Sequence, residues 1–241
     1  MQPIYKHLVR FFVISALLFN TCANAETVKS KKPQFKVTTW EKWDSSPILL
    51  KTKNERGKEE MVSIETMEMS YSRGYPYQKG APIKFYTETN DPETPYKLFK
   101  SIQIPQNIKS PLILFLTINK ELRTLIFDLD ASDFKYGSYK LVNLSQKEIL
   151  YKIDNKRIKL KPLASRNVPI ATSGKKKAVH CQAAVLLEGK PKIVYSTMLM
   201  NRSEKRQLIF FYSTKDSKGR EVVKSRSLVD FKPQVSKQSD V

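Results

Sequence analysis

Leu112-Ile113-Leu114-Phe115-Leu116-Thr117-Ile118 is apolar at almost every position. Neighbouring side chains of a strand face opposite ways, so an unbroken run of this kind predicts a central strand covered on both faces. Upstream, Val62 and Ile64, then Ile83 and Phe85, alternate with polar residues, and Leu98, Ile102 and Ile104 read as one face of the next segment. Downstream, the turn Asn119-Lys120-Glu121 leads into 122–129. Strand-like segments then recur at 139–144, 147–153, 157–161, 178–187, 192–200, 207–213 and 221–229. Asp154-Asn155, Ser173-Gly174, Glu188-Gly189 and Asp216-Ser217-Lys218-Gly219 separate them as turns. Helical spacing is not sustained for three turns anywhere, and only 131–134 and 201–205 suit a single turn. The expected fold is all-β: an antiparallel β-sandwich of about a dozen short strands.

One domain over 35–231 is the simplest organisation, and 162–172 is the place where a subdivision would fall. No internal repeat and no Gly/Ser linker is visible in the residues. Residues 26–34 form a polar, lysine-rich arm, and 232–241 form a polar tail expected to fray. Residues 1–25 read as a cleaved signal peptide. Lys6, His7 and Arg10 precede an apolar stretch from Phe11 to Phe19, and Ala23-Asn24-Ala25 forms a small-x-small cleavage site. That stretch is well short of the roughly 20 residues a spanning helix needs. A lipid anchor at Cys22 would want a small residue directly ahead of it, where Thr21 stands. The expected location is therefore secreted or periplasmic, with no transmembrane segment in the mature chain.

The chain of 241 residues carries 43 Lys+Arg against 23 Asp+Glu, a formal charge of +20, and cleavage after Ala25 would remove only Lys6 and Arg10 from that balance. One thiol, Cys181, and one imidazole, His180, would remain, so no internal disulfide can form and the core must hold the fold alone. Alternation places Cys181 with Val179, Ala183 and Val185 on one strand face, and His180 with Gln182 on the other. A thiol–imidazole catalytic pair would need both on one side. The sequence contains no Gly-x-Ser-x-Gly elbow, no His-x-x-x-His pair and no phosphate-cradling glycine loop. No cofactor and no metal is expected, and the protein reads as a non-enzyme.

Three stretches are candidate sites. Between 140 and 177 basic residues far outnumber Glu148 and Asp154, and Arg157, Lys159 and Lys161 fall at period two with Ile158 and Leu160 between them. One strand would thus present a cationic row to a polyanion such as an acidic envelope polymer. Equally, lysine on an edge strand blocks edge-to-edge pairing. The excess of Lys over Arg is unlike a phosphate reader, and specific nucleic-acid recognition is not expected. The second stretch is 71–80, where Tyr71, Arg73, Tyr75 and Tyr77 could form a stacking rim for sugar rings or a peptide. The same residues could instead pack over the open end of a sandwich. The third is Asp128-Leu129-Asp130-Ala131-Ser132-Asp133. It lacks the glycine and the terminal glutamate of a helix–loop–helix calcium loop. Asp128 and Asp130 could supply a carboxylate pair for glycoside hydrolysis, or simply end a strand. Asn143-Leu144-Ser145 and Asn201-Arg202-Ser203 fit the glycosylation pattern.

Residues 134–145, Phe-Lys-Tyr-Gly-Ser-Tyr-Lys-Leu-Val-Asn-Leu-Ser, followed by Ile158-Lys159-Leu160-Lys161-Pro162, resemble a pattern in an uncharacterised family of bacterial secreted β-sandwich proteins. In that pattern an aromatic-x-x-Gly-x-Tyr-x-hydrophobic-x-Asn segment precedes two short strands and a Leu-x-Pro turn. The segments 195–200 and 206–210 resemble the group too. Leu163 stands where the family usually has Gly. The resemblance implies an exported sandwich and carries over no functional residue. From the residues themselves, Gly137 suits a tight turn, and Asn143 shares a face with Tyr139 and Leu141 and would need amide partners if buried.

The expected function is an exported, non-catalytic binding or scaffolding protein whose cationic surface associates with an anionic envelope polymer or another envelope protein. The alternatives are a carboxylate-dependent hydrolase of envelope polysaccharide and an assembly or adhesion subunit that pairs through strand edges.

Overall fold

The apolar run at 112–118 lies in a strand with a different core on each face. Ile113 and Phe115 enter one hydrophobic cluster, and Leu112, Leu114 and Leu116 enter another. A computed structural model describes residues 32–43, 46–54, 56–118, 121–169, 177–187 and 189–233. The leader, most of the basic arm, 170–172 and the tail from 234 lie outside the described residues.

Eight strands make up the first half: β1 (Gln34–Thr39), β2 (Leu49–Lys53), β3 (Glu59–Ser63), β4 (Tyr75–Pro76), β5 (Ile83–Glu88), β6 (Tyr96–Ile102), β7 (Pro111–Ile118) and β8 (Glu121–Asp128). Eight more make up the second: β9 (Ser138–Asn143), β10 (Ile149–Ile153), β11 (Lys156–Leu160), β12 (Ser165–Pro169), β13 (Lys177–Leu187), β14 (Lys190–Asn201), β15 (Lys205–Lys215) and β16 (Glu221–Phe231). The fold is all-β, and no helix occurs among the described residues. Single turns at 131–134 and 202–205 are closed by Phe134 N–H donating to Asp130 O (2.9 Å) and Lys205 N–H donating to Arg202 O (3.1 Å).

The strands form four sheets, in the orders β4-β1-β7-β8, β3-β2-β5-β6, β12-β9-β15-β16 and β11-β10-β13-β14. Adding eight to each number of the first half reproduces the second. The agreement extends to pairing sense, because β1 with β7 and β9 with β15 are parallel and the other strand pairs are antiparallel. It extends also to a register shift at Phe85/Tyr86 in β5–β6 and at Ala183/Ala184 in β13–β14. The internal repeat thus lies in topology, which a comparison of residue types does not see. The passage between halves runs through 129–137, and 162–169 belongs wholly to the second half, where β12 pairs with β9.

Each half is a sandwich with its own core, one built around Phe35, Phe85 and Phe115 and the other around Tyr139, Tyr151, Cys181 and Phe211. A third cluster joins them. Leu112, Leu114 and Leu116 of β7 meet Val142 of β9, Leu208 and Phe210 of β15 and Leu228 of β16, with Trp40, Leu129 and Phe134 at the margin. The described residues therefore form one unit of four layers, with β7 and β15 at the two inner sheets. Both are apolar on consecutive residues because both are covered twice.

Two local features depart from simple alternation. Leu98 is 51% exposed, whereas Ile102 and Ile104 are buried. The bulge opposite Phe85/Tyr86 inserts Phe99 into the ladder and reverses the parity of β6, so that Phe99 packs on the core and Leu98 points outward. The second feature is Asn143, which is fully buried. Its Nδ2 donates to Lys147 O (2.7 Å) and Lys161 O (3.0 Å) and lies 3.2 Å from Leu160 O. Its Oδ1 accepts from the backbone N–H and hydroxyl of Ser145 at 3.0 and 2.7 Å. An amide spent in this way pins the β9–β10 and β11–β12 loops together and is closed to glycan attachment in the folded chain. Asn143→Leu should cost about 2–3 kcal/mol in urea denaturation, because it strands these groups out of water. A loss below about 0.5 kcal/mol would show that the network is not holding the loops.

Candidate functional site

Lys51 and Lys53 alternate with Leu50 and Thr52 along β2, and Lys84 alternates with Ile83 and Phe85 on β5. β2 and β5 share only two registered pairs, Leu49 with Tyr86 and Leu50 with Phe85. Beyond them the partners separate, and a groove of about 640 Å³ opens at the end of the first sandwich where β1 begins. Lys32, Lys51, Lys53 and Lys84 line it together with the rings of Tyr77 and Tyr86, and Pro76 and Pro82 stiffen its walls. Glu59 is the one acid in the lining, and it holds Lys51 at 2.6 Å. Hydrogen bonding to Lys51 keeps the Glu59 carboxyl below its ordinary range, so the acid stays ionised and offsets one lysine. Lys53 stands across from Glu59 in register and its charge adds to the pull on that carboxyl, but no ion pair within 4 Å holds Lys32, Lys53 or Lys84 among the described residues.

The tyrosine stretch divides at this groove. Tyr75 is buried beside Phe35, and its hydroxyl accepts the Glu65 N–H at 2.8 Å. Arg73 stacks over the Tyr75 ring (5.2 Å) and approaches Glu65 (3.6 Å). Tyr71 turns to the cluster between the sandwiches, where burial, with the charge of Asp230, pushes its phenol far up. Neither Tyr71 nor Tyr75 offers a free ring face. Tyr77 does line the groove; it packs edge-on to Phe35 at 6.0 Å, and its hydroxyl has no partner among the described residues.

Arg157 and Lys159 lie on β11, an edge strand, and point outward while Ile158 and Leu160 face the core. Lys161, also exposed, follows the strand. Lys152, opposite Arg157 on β10, widens the row, and Glu148 approaches Lys159 at 3.9 Å. The row is a surface feature of the second sandwich, separate from the groove in the first.

Asp128 and Asp130 are taken up by local structure. Asp128 accepts from the N–H groups of Ser110 (2.9 Å), Asp130 (2.9 Å) and Lys109 (3.1 Å), which ties β7 to the strand exit. Asp130 accepts from the Ser132 hydroxyl (2.7 Å) and pairs with Lys109 (3.2 Å). The Ser132 bond, then Lys109, lowers its carboxyl below the ordinary value, which is the wrong direction for a general acid. His180 and Cys181 sit on opposite faces of β13, with His180 3.4 Å from Ser196 Oγ and Cys181 buried in the core. Burial pushes the Cys181 thiol up. Among the described residues no three His, Cys, Asp or Glu side chains are placed to hold a metal ion, and no helix is long and apolar enough to cross a membrane.

Sequence reasoning singled out Tyr77 but missed Lys51, Lys53, Lys84 and Tyr86. Period-two lysines at 51 and 53 were the available signal, and the pairing that brings Lys84 beside them is not local. No protein-family model matches the chain, and no curated protein matches it in sequence.

Proposed function

We propose that the chain is an exported, non-catalytic binding protein that holds an acidic polysaccharide of the cell envelope in the groove between β2, β5 and Tyr77. The observation that carries this reading is the convergence of four lysines and two tyrosine rings on one concavity with a single acid. Tyrosine faces accept the apolar face of a sugar ring at little entropic cost, and lysines spaced along a groove meet repeated carboxylates without demanding one geometry. Export rests on the leader at 1–25, and the high positive charge of the whole chain would raise the local concentration of any polyanion.

Retention on immobilised polygalacturonate across a salt series tests the reading. Retention should fall steeply as salt shortens the Debye length. Lys53→Gln with Lys84→Gln should weaken it about tenfold at low salt, as expected for two exposed ion pairs, with the melting temperature unchanged. Retention that ignores ionic strength, or release of reducing ends from the polymer, would overturn the proposal.

A further inference from the structure

The outer face of the sheet β11-β10-β13-β14 is divided into two chemistries. Registered pairs define two lines across it, Lys159–Leu150–Ala184–Ile193 and Arg157–Lys152–Gln182–Ser196. Cations occupy the β11 flank. On the β14 flank, Ile193 and Met198 are each 58% exposed, and Met200 and Leu186 are about half exposed beside them. Strands lie about 4.8 Å apart, so the two flanks are separated by only about 14 Å. Soluble monomers seldom leave such apolar side chains together on one uncovered face. Among the described residues, none of the three core clusters includes these four.

We infer that this face seats on the surface of an anionic lipid bilayer, with Ile193, Met198, Met200 and Leu186 entering the acyl boundary and Lys152, Arg157 and Lys159 lying among the headgroups. The charge distribution selects this occupant over a second copy of the chain. Two copies stacked through the face would bring two cationic flanks into one apolar contact, and each copy, once Lys6 and Arg10 leave with the leader, still carries +18. An anionic bilayer offers both complements at once, acyl chains for the β14 flank and lipid phosphates for the β11 flank.

The test is co-sedimentation of the purified protein with phosphatidylcholine vesicles and with phosphatidylcholine vesicles containing phosphatidylglycerol. Binding is expected only to the second kind. Each cation near an anionic surface multiplies partition by about five, so Lys152→Gln, Arg157→Gln and Lys159→Gln together should lower it about a hundredfold. Ile193→Ser with Met198→Ser should also lower it, by about tenfold, and these outward side chains should leave the melting temperature where it was. Lys53→Gln with Lys84→Gln should not change vesicle binding, which separates this face from the polysaccharide groove. Equal binding to both kinds of vesicle, no binding to either, or indifference to both sets of face substitutions would overturn the inference. A dimer in sedimentation equilibrium that Ile193→Ser dissolves would overturn it in favour of a second copy.

Discussion

Arg206→Ala is expected to destabilise the protein by about 3–5 kcal/mol, the usual result of removing one partner from a buried ion pair. Arg206 and Asp230 are 5% and 8% exposed, and Nε and Nη2 of the arginine donate to Asp230 Oδ2 at 2.8 and 2.7 Å. The same guanidinium donates through Nη1 to Leu129 O (2.6 Å) and Phe134 O (2.8 Å). It also lies over the rings of Phe134 and Tyr136 at 5.2 and 4.5 Å. One side chain of β15 thus fastens the passage between the sandwiches at both ends of its turn. Alanine would strip the two buried carbonyls of this donor and leave the Asp230 carboxylate buried without a countercharge, held only by the Tyr136 hydroxyl at 3.2 Å. A fall of about 10 °C in Tm is expected for a chain of this size. Asp230→Ala should cost about as much, and the double substitution should cost clearly less than the sum, because it removes the stranded charge. Additive effects in this cycle, or a cost below about 1 kcal/mol for Arg206→Ala, would show that the passage is held by other means.

Phe210→Ala should cost about 3–5 kcal/mol as well, through a cavity at the join of the two sandwiches. The Phe210 ring is fully buried and meets Trp40 and Phe127 edge-on, each at 5.5 Å. Its neighbours belong to both halves, so the empty volume cannot be closed without moving one sandwich against the other. Trp40 provides the readout. Arg226 stacks over its indole at 5.4 Å and donates to its backbone carbonyl, so its surroundings are fixed from the second half as well. The intact protein should unfold in one transition, seen alike by tryptophan fluorescence and far-ultraviolet dichroism. Phe210→Ala should lower the midpoint and pull the two signals apart. A loss below about 1 kcal/mol with coincident signals would mean that the join is not a packed core.

Legibility in the sequence followed the range of the interactions. The double-sided apolar run at 112–118, the inward Cys181 and the outward His180 were readable because strand alternation is local. The need of Asn143 for partners was readable too, since it followed from the face the residue shares with Tyr139 and Leu141. β12 was not, because Ser165-Arg166-Asn167-Val168-Pro169 buries only Val168 and forms by pairing with β9. The direction of Leu98 failed at a bulge that only the partner strand reveals. Arg206 reads as one more surface base in Glu204-Lys205-Arg206-Gln207, since its partners at 129, 134 and 230 are distant in the chain. The groove was half legible. Tyr77 stood out in composition, but its association with Lys53 and Lys84 and the burial of Tyr75 depend on how β1, β2, β4 and β5 meet, and the partial burial of Tyr71 depends on the join between the two halves.

Equilibrium titration of polygalacturonate into the wild type, into Lys53→Gln/Lys84→Gln and into Glu59→Gln tests the groove most directly, because the two variants should move affinity in opposite directions. Loss of the two lysines should weaken binding. Loss of Glu59 should tighten it several-fold, because the single acid of the lining disappears and Lys51 is released to the polymer. Affinities that shift in the same direction for both variants, or that do not shift, would place the polymer elsewhere and contradict the account.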